Sequence, residues 1–438
     1  MKSRSNRQVN RVKGAAVMLT ALLCMLSLLT GCTTYNSFSN TFIDNGGSEE
    51  EPTITIGVFE PQTGRSAQKG NDELKGIELA NSIYNNVNGY KVVLSKVDTK
   101  SSVSATETAI QGLIEMKPVA IIGSAGDATS LVASEYIDRA AIPTITPSST
   151  NPLITQGTRY YFRASLTEAQ MGQGLAEYAI RELDSDRIGV ITNKNDSSTT
   201  AMLDGFEDEV KKLAGRKSNV IVGRAELTQG ADDMEEALEK VRLNAINVCF
   251  VPIGNENMDQ FFTLVEEKDM TDVVFLGLRS WGDSTFISIM EKHPKIKVVF
   301  PYESVLTSTD STSDAVTEEA QRFQIEYANR YGVDDVPTYN AALGYDSYLL
   351  LMNAIHNAKS LEGKDIRLAM LELSDMKCST GTFSFDSSGN VIRPVTLSTL
   401  KDGKPVTEYV TKSEAEFKEL EDVTTQEEAN KQEEEKKE

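Results

Sequence analysis

Histidine is nearly absent from this chain, with only His293 and His356 among 438 residues. Two histidines far apart in sequence disfavour histidine-based acid–base catalysis and a His-ligated metal centre. Of the four cysteines, Cys24 lies within an N-terminal apolar run and Cys32 just beyond it. Cys249 and Cys378 remain, with no metal-ligand spacing between them. A disulfide joining them is one reading and separate small core residues the other. The sequence contains no Gly-x-Ser-x-Gly elbow and no phosphate-cradling Gly-x-x-x-x-Gly-Lys loop. A hydrolase is thereby disfavoured, and no motif calls for a cofactor. Bases are outnumbered, 44 against 65 acids, and the formal charge of −21 disfavours nucleic acid or an anionic membrane surface as partner.

What is present begins at the N-terminus. Residues 1–13 carry Lys2, Arg4, Arg7, Arg11 and Lys13 without an acid, Gly14 to Thr30 is apolar, and Leu29-Thr30-Gly31-Cys32 closes the run. A basic start, an apolar stretch short for a membrane span and a small-residue end read as an export signal over 1–31. The ending resembles the bacterial lipoprotein signal, so Cys32 is the expected lipidation site; a plain membrane anchor is the alternative. Residues 32–51, rich in Thr, Ser, Asn and Gly, read as a flexible tether. Residues 413–438, mostly Glu, Lys, Gln and Thr, read as a charged low-complexity tail. The expected location is extracytoplasmic, lipid-anchored to the bacterial cell membrane.

The body between these ends is long enough for two domains and has ordinary globular composition, 39% hydrophobic and 25% charged. Thr53 to Phe59 reads as a strand, followed by Pro61-Gln62-Thr63-Gly64 and a helix with Leu74, Ile77, Leu79, Ala80 and Ile83 at helical spacing. Strands are expected at 91–97 and 119–122, with a capping box Ser104-Ala105-Thr106-Glu107 opening the helix between them. After Tyr161-Phe162-Arg163 the pattern restarts, with strands at 187–191, 220–224, 248–251 and 273–276. Helical stretches at 314–331 and 338–357 and a hairpin of 382–385 with 391–400 complete the body. This alternation implies parallel sheets with right-handed crossovers. Two runs of it predict an α/β fold of two doubly wound lobes, each presenting ligand loops at the carboxyl ends of its strands.

One such loop stands out. The strand over 142–145 ends at Pro147-Ser148-Ser149-Thr150-Asn151-Pro152. The prolines restrict the backbone on either side, and between them stand three consecutive hydroxyls with free backbone N–H groups. A turn of this kind cradles a small anion or polar ligand head, or is simply an ordinary polar turn.

An ordered set of segments carries a resemblance: Pro61-Gln62-Thr63-Gly64, Gly76-Ile77-Glu78-Leu79-Ala80, the Pro147–Pro152 turn, Tyr161-Phe162-Arg163, Gly344-Tyr345-Asp346 and Gly381-Thr382-Phe383-Ser384-Phe385-Asp386 with Gly389. In order and spacing it resembles the extracellular solute-binding proteins of branched-chain amino acid (leucine/isoleucine/valine-type) ABC transporters, over about Ile54 to Val406. The resemblance implies two lobes joined by three crossing strands and closing on a ligand in the cleft. It places one lobe at 52–166 plus 303–388 and the other at 167–302 plus 389–412. It also implies a non-catalytic protein that delivers a small amino-acid-like ligand to an ABC permease and its ATPase. A ligand-sensing receptor of the same fold is the runner-up and a cell-surface hydrolase a distant third.

Carried over residue by residue, the resemblance gives Thr150 a ligand-binding hydroxyl and N–H and Ser148 a carbonyl, with Ser149 between them. Four positions depart from the family pattern. Asp127 stands where a carboxylate-binding serine is usual, and Arg279, in Gly277-Leu278-Arg279-Ser280-Trp281-Gly282, where an ammonium-pairing acid is usual. Lys69 and Ser198 replace aromatics. A ligand carboxylate beside Asp127 would be repelled by on the order of several kcal/mol, whereas Arg279 binds carboxylates bidentately. Three readings stay open: a ligand in reversed orientation, an Asp127–Arg279 pair bridging the lobes, or a one-residue slip. The slip gives the serine's role to Thr129 or Ser130 and puts Asp283 in place of Arg279. All argue against a plain leucine pocket and toward a polar or charged solute. Trp281, the sole tryptophan, fits the cleft rim and the core equally.

Overall fold

The computed structural model describes residues 52–194, 199–215, 219–228, 233–302 and 317–412. The export signal, Cys32, the 32–51 tether, Ser198 and the 413–438 tail fall outside the described residues.

Strands β1 (Thr53–Glu60), β2 (Asn86–Val87), β3 (Tyr90–Asp98), β4 (Ala120–Gly123), β5 (Thr144–Thr146) and β6 (Tyr161–Arg163) form the first sheet, in the order β2-β3-β1-β4-β5-β6. Every pair is parallel except the β2–β3 hairpin. The crossovers are α1 (Ala67–Ile83), α2 (Val103–Glu115) and α3 (Asp127–Ala140). The chain then leaves for the second lobe through α4 (Glu168–Glu177), which Thr167 and Gln170 close with a reciprocal capping box.

The second lobe repeats the plan. Strands β7 (Ile188–Asn193), β8 (Ile221–Leu227), β9 (Val248–Phe250), β10 (Val274–Leu276) and β11 (Val298–Pro301) lie in the order β8-β7-β9-β10-β11, all parallel. Helices α5 (Thr200–Ala214), α6 (Met234–Arg242), α7 (Met258–Glu267) and α8 (Ser284–Met290) connect them. The first strand of each lobe is interior to its sheet, β1 between β3 and β4 and β7 between β8 and β9. The crevice above its carboxyl end is therefore a topological switch point, the usual ligand position in such sheets.

The chain returns to the first lobe with α9 (Glu318–Tyr331), α10 (Tyr339–Asn357), α11 (Gly363–Leu371) and a small sheet of β12 (Met376–Cys378), β13 (Gly381–Phe385) and β14 (Val391–Ile392). It crosses once more to lay β15 (Thr396–Lys401) and β16 (Lys404–Val410) antiparallel beyond β11. The single hairpin strand expected over 391–400 is thus two strands in two lobes. Pro394 lies between them, and its missing N–H cannot continue a ladder. The capping box expected at Ser104 also moves: Ser102 is the cap of α2, with Oγ accepting from Ala105 N at 3.5 Å. Ser104 is already inside the helix, two residues past the cap, and the Ser101 hydroxyl before it is tied to Thr63 O at 2.9 Å.

Close helix crossings hold both lobes. A Cβ on Gly76 of α1 would lie 1.8 Å from the Ala341 carbonyl oxygen of α10, and one on Gly344 would lie 2.2 Å from Glu73 O. In the second lobe a Cβ on Gly172 of α4 would lie 2.1 Å from Met202 O, and one on Gly205 of α5 would lie 2.2 Å from Ala169 O. Trp281 is fully buried, stacked on Phe286 at 4.6 Å, so it belongs to the second-lobe core and not to the cleft rim. Cys249 and Cys378 are free, buried and in separate clusters, so no disulfide joins them. Among the described residues no helix is long and apolar enough to cross a membrane.

Candidate functional site

The Pro147–Pro152 turn leaves β5 beside the switch point of the first lobe and is anchored from below. Ser149 Oγ donates to Ser124 O at 2.8 Å and lies 3.0 Å from Ser130 Oγ. Arg163, fully buried on β6, donates to Asn151 O at 2.7 Å and Thr155 Oγ1 at 3.1 Å. Burial pulls the Arg163 guanidinium down to about 10, and the Asp127 charge opposes that fall. Thr129 Oγ1 donates to Gly126 O at 2.7 Å within the first turn of α3. The Ser149 and Thr129 hydroxyls are therefore engaged inside the lobe.

The upper face of the turn meets charged groups. Asp127 Oδ1 accepts from Thr150 N at 2.9 Å and from Asn151 N at 3.4 Å. The Ser148 carbonyl accepts from Lys69 Nζ at 3.2 Å. The Ser148 hydroxyl donates to Glu73 Oε1. Four of the residues singled out in the sequence, Lys69, Asp127, Ser148 and Thr150, thus meet at one turn.

Two acids that sequence reasoning missed lie beneath. Glu60, at the end of β1, and Glu73, on α1, are both fully buried. Glu60 Oε2 accepts from Ala125 N at 2.7 Å across the switch point. Each carboxyl feels the other. Two buried carboxylates in mutual range repel, which favours a proton on one of them. Each also has an oxygen with no hydrogen-bond partner, Glu60 Oε1 and Glu73 Oε2. Burial pushes Glu73 up to about 7, against the opposing charge of Lys69 and the Ser148 bond. Burial and the Glu73 charge hold Glu60 well above the usual carboxylate range. Burial lowers the Lys69 ammonium, Glu73 opposes that, and Arg279 lowers it further. A signal for both acids was present: Glu60 continues the inward alternation of Ile54, Ile56 and Val58, and Glu73 shares the Gly70, Ile77 and Ala80 stripe of α1.

Arg279 approaches from the second lobe on a single 3₁₀ turn, Arg279–Gly282. Its guanidinium lies 4.5 Å from the ring centroid of Tyr339, at the start of α10 in the first lobe. The Tyr339 hydroxyl in turn receives Arg393 Nη2 from the last crossing segment. Asp127 and Arg279 make no ion pair with each other. A cavity of about 340 Å³ opens beside Asp127, lined by Pro61, Arg65, Ser66, Ser101 and Thr129 among others. Among the described residues no group of His, Cys, Asp and Glu is arranged to hold a metal ion.

This is a two-lobe cleft with polar groups contributed from both sides. A family model described as "Periplasmic binding protein" matches residues 53–405. The chain belongs to the periplasmic binding protein family. Membership implies an extracytoplasmic location and a family of substrate-binding proteins rather than enzymes. An "Amino acid binding protein" of Pseudomonas aeruginosa is 29% identical over 202 residues, which is 45% of this chain and 53% of that protein. The match thus spans about half the length of that relative. "Leu/Ile/Val-binding protein homolog 8" of Brucella melitensis is 22% identical over 375 residues, covering 81% of this chain and 90% of that one. Among solved structures, a leucine-binding protein LivK from Thermotoga maritima superimposes with a TM-score of 0.63 at 23% identity, over 83% of this chain and 100% of the other. At that identity the likeness bears on the fold of this periplasmic binding protein, two α/β lobes with parallel sheets.

Proposed function

We propose that this periplasmic binding protein captures a small amino-acid-like polar solute between its lobes and delivers it to an ABC permease with its ATPase. The observation that carries the reading is the meeting of Lys69, Asp127, Ser148 and Thr150 from one lobe with Arg279, which reaches Tyr339 from the other. A solute touching both sides favours the closed arrangement by its differential affinity for it, and a permease that prefers the closed form reads occupancy. The lobes of this reading are 52–166 plus 303–388 and 167–302 plus 389–412, with β14 the part of the last segment that still pairs with the first lobe. A lipid on Cys32 and the 32–51 tether would hold the protein at the membrane while leaving the lobes free to move. The amino-acid names of the relatives support the solute class.

Calorimetric titration against amino acids, amides, polyamines and carboxylates, with small-angle scattering to follow closure, tests the proposal. Saturable binding with a reduced radius of gyration is expected. Silence across the whole panel overturns it.

A further inference from the structure

The donors and acceptors of the cleft are unevenly engaged. The N–H groups of Thr150 and Asn151, which a solute carboxylate would use, end on Asp127 Oδ1 at 2.9 and 3.4 Å. The Ser148 carbonyl, which a solute ammonium would use, already takes Lys69 Nζ at 3.2 Å, and the Ser148 hydroxyl is turned to Glu73. The protein's own ammonium and carboxylate stand where the two ends of an α-amino acid would dock on this turn. Two cations remain under-engaged. Lys69 has three N–H donors and makes one hydrogen bond. Arg279 makes no hydrogen bond or ion pair among the described residues, only its ring contact with Tyr339.

Resting on the solute-capture reading above, we propose that the cleft takes a small organic carboxylate, held by Lys69 from one lobe and Arg279 from the other, with no ammonium group required. A carboxylate between the two cations replaces their repulsion with charge-assisted hydrogen bonds, bidentate at the guanidinium. Burial lowers the proton affinity of Lys69, and the Arg279 charge lowers it further. Because they come from different lobes, the same bridge couples recognition to closure. The buried Glu60–Glu73 pair lies beneath Lys69, and its charge favours the ammonium form. An ammonium placed there would instead meet both cations.

The test is calorimetric titration of the protein with matched probes: leucine, 4-methylpentanoate and 3-methylbutylamine; phenylalanine, 3-phenylpropanoate and 2-phenylethylamine; and glutamate with glutarate. At least one carboxylate is expected to bind as tightly as its amino acid or tighter, and no amine to bind. Lys69→Gln and Arg279→Gln should each weaken that carboxylate by at least about tenfold, and Arg279→Lys, which keeps charge but loses the fork, by less. Lys69→Tyr combined with Asp127→Ser should shift preference toward the amino acid. Binding of amino acids without their carboxylates, binding of the amines, or indifference to Arg279→Gln overturns the inference and leaves solute capture standing. Silence with every probe overturns the inference, and silence across the wider panel of amides and polyamines as well overturns solute capture.

Discussion

Gly76 with Gly344 in the first lobe and Gly172 with Gly205 in the second let helix pairs cross at nearly the same backbone distance. The strand orders around β1 and β7 also match. Yet the lobes fill this shared frame with opposite chemistry. Beneath the first switch point lie Glu60, Glu73 and Arg163, all fully buried, with Lys69 above them. The second-lobe core is aromatic: Phe261, Phe262, Phe275, Trp281, Phe286 and Phe300 touch edge-on or stacked. The backbone plan therefore does not dictate the chemistry. On the solute-capture reading proposed above, the lobe that presents ligand groups keeps buried charges to hold them. A lobe that contributes a single arm, Arg279, can be a dry platform.

This contrast can be broken by experiment. The largest effect is expected from Trp281→Ala, which should lower unfolding stability by about 4 kcal/mol. Chemical denaturation at pH 5 and pH 7.5 should give the same loss, because the ring partners of Trp281, Phe262 and Phe286, carry no titrating group. A loss that changes with pH would undo the description of the second lobe as apolar.

The first lobe should behave in the opposite way. Burial raises Glu73 in the folded chain from the ordinary 4.5 to about 7. The stabilisation is fully present below about 4.5 and is lost as pH rises toward 7, because the unfolded chain releases its proton first. The loss is on the order of 3 kcal/mol, and Glu60 acts in the same direction. Glu73→Gln should flatten the stability–pH curve over that window. A curve that keeps its slope in this variant would remove Glu73 from the account.

Arg163→Met should cost about 2 kcal/mol by leaving the Asn151 carbonyl and Thr155 hydroxyl without their donor. Because the same carbonyl belongs to the turn, solute affinity should fall with it, whereas Trp281→Ala should leave affinity nearly intact. The smallest effect is expected at the cysteines. Burial pushes both thiols up, so peptide mass spectrometry should find Cys249 and Cys378 unlabelled by maleimide until the chain unfolds.

Much of the fold was legible because its signals are local. Alternating Ile54, Ile56 and Val58 and the helical stripe through Leu74, Ile77 and Ala80 follow from backbone period alone. Several motifs proved to be packing or loop chemistry. Gly76 and Gly344 serve a helix crossing. Thr63 donates its hydroxyl to Asp98 at 2.7 Å. Asp346, pushed up to about 6 by burial, accepts from Ser379 N at 2.7 Å and Thr380 N at 2.9 Å. The hairpin of 382–385 with 391–400 forms only through Val391–Ile392, and the rest of its second strand joins the other sheet, because a strand's partner is a long-range choice and local alternation reads the same in either sheet.

The sequence by itself determined two doubly wound lobes, the turn between Pro147 and Pro152, and the oddness of Lys69, Asp127 and Arg279. Hydrophobic period, proline geometry and residue type are properties of short segments, and they survive without a fold. Only the tertiary structure decided what those charges do. It brought Lys69 to the Ser148 carbonyl across 79 positions and Asp127 to the Thr150 amide across 23. It also sealed Glu60 against Glu73, so that burial, and not sequence neighbourhood, sets their protonation. Desolvation and pairing depend on what the folded chain excludes from water, and no local stretch carries that information.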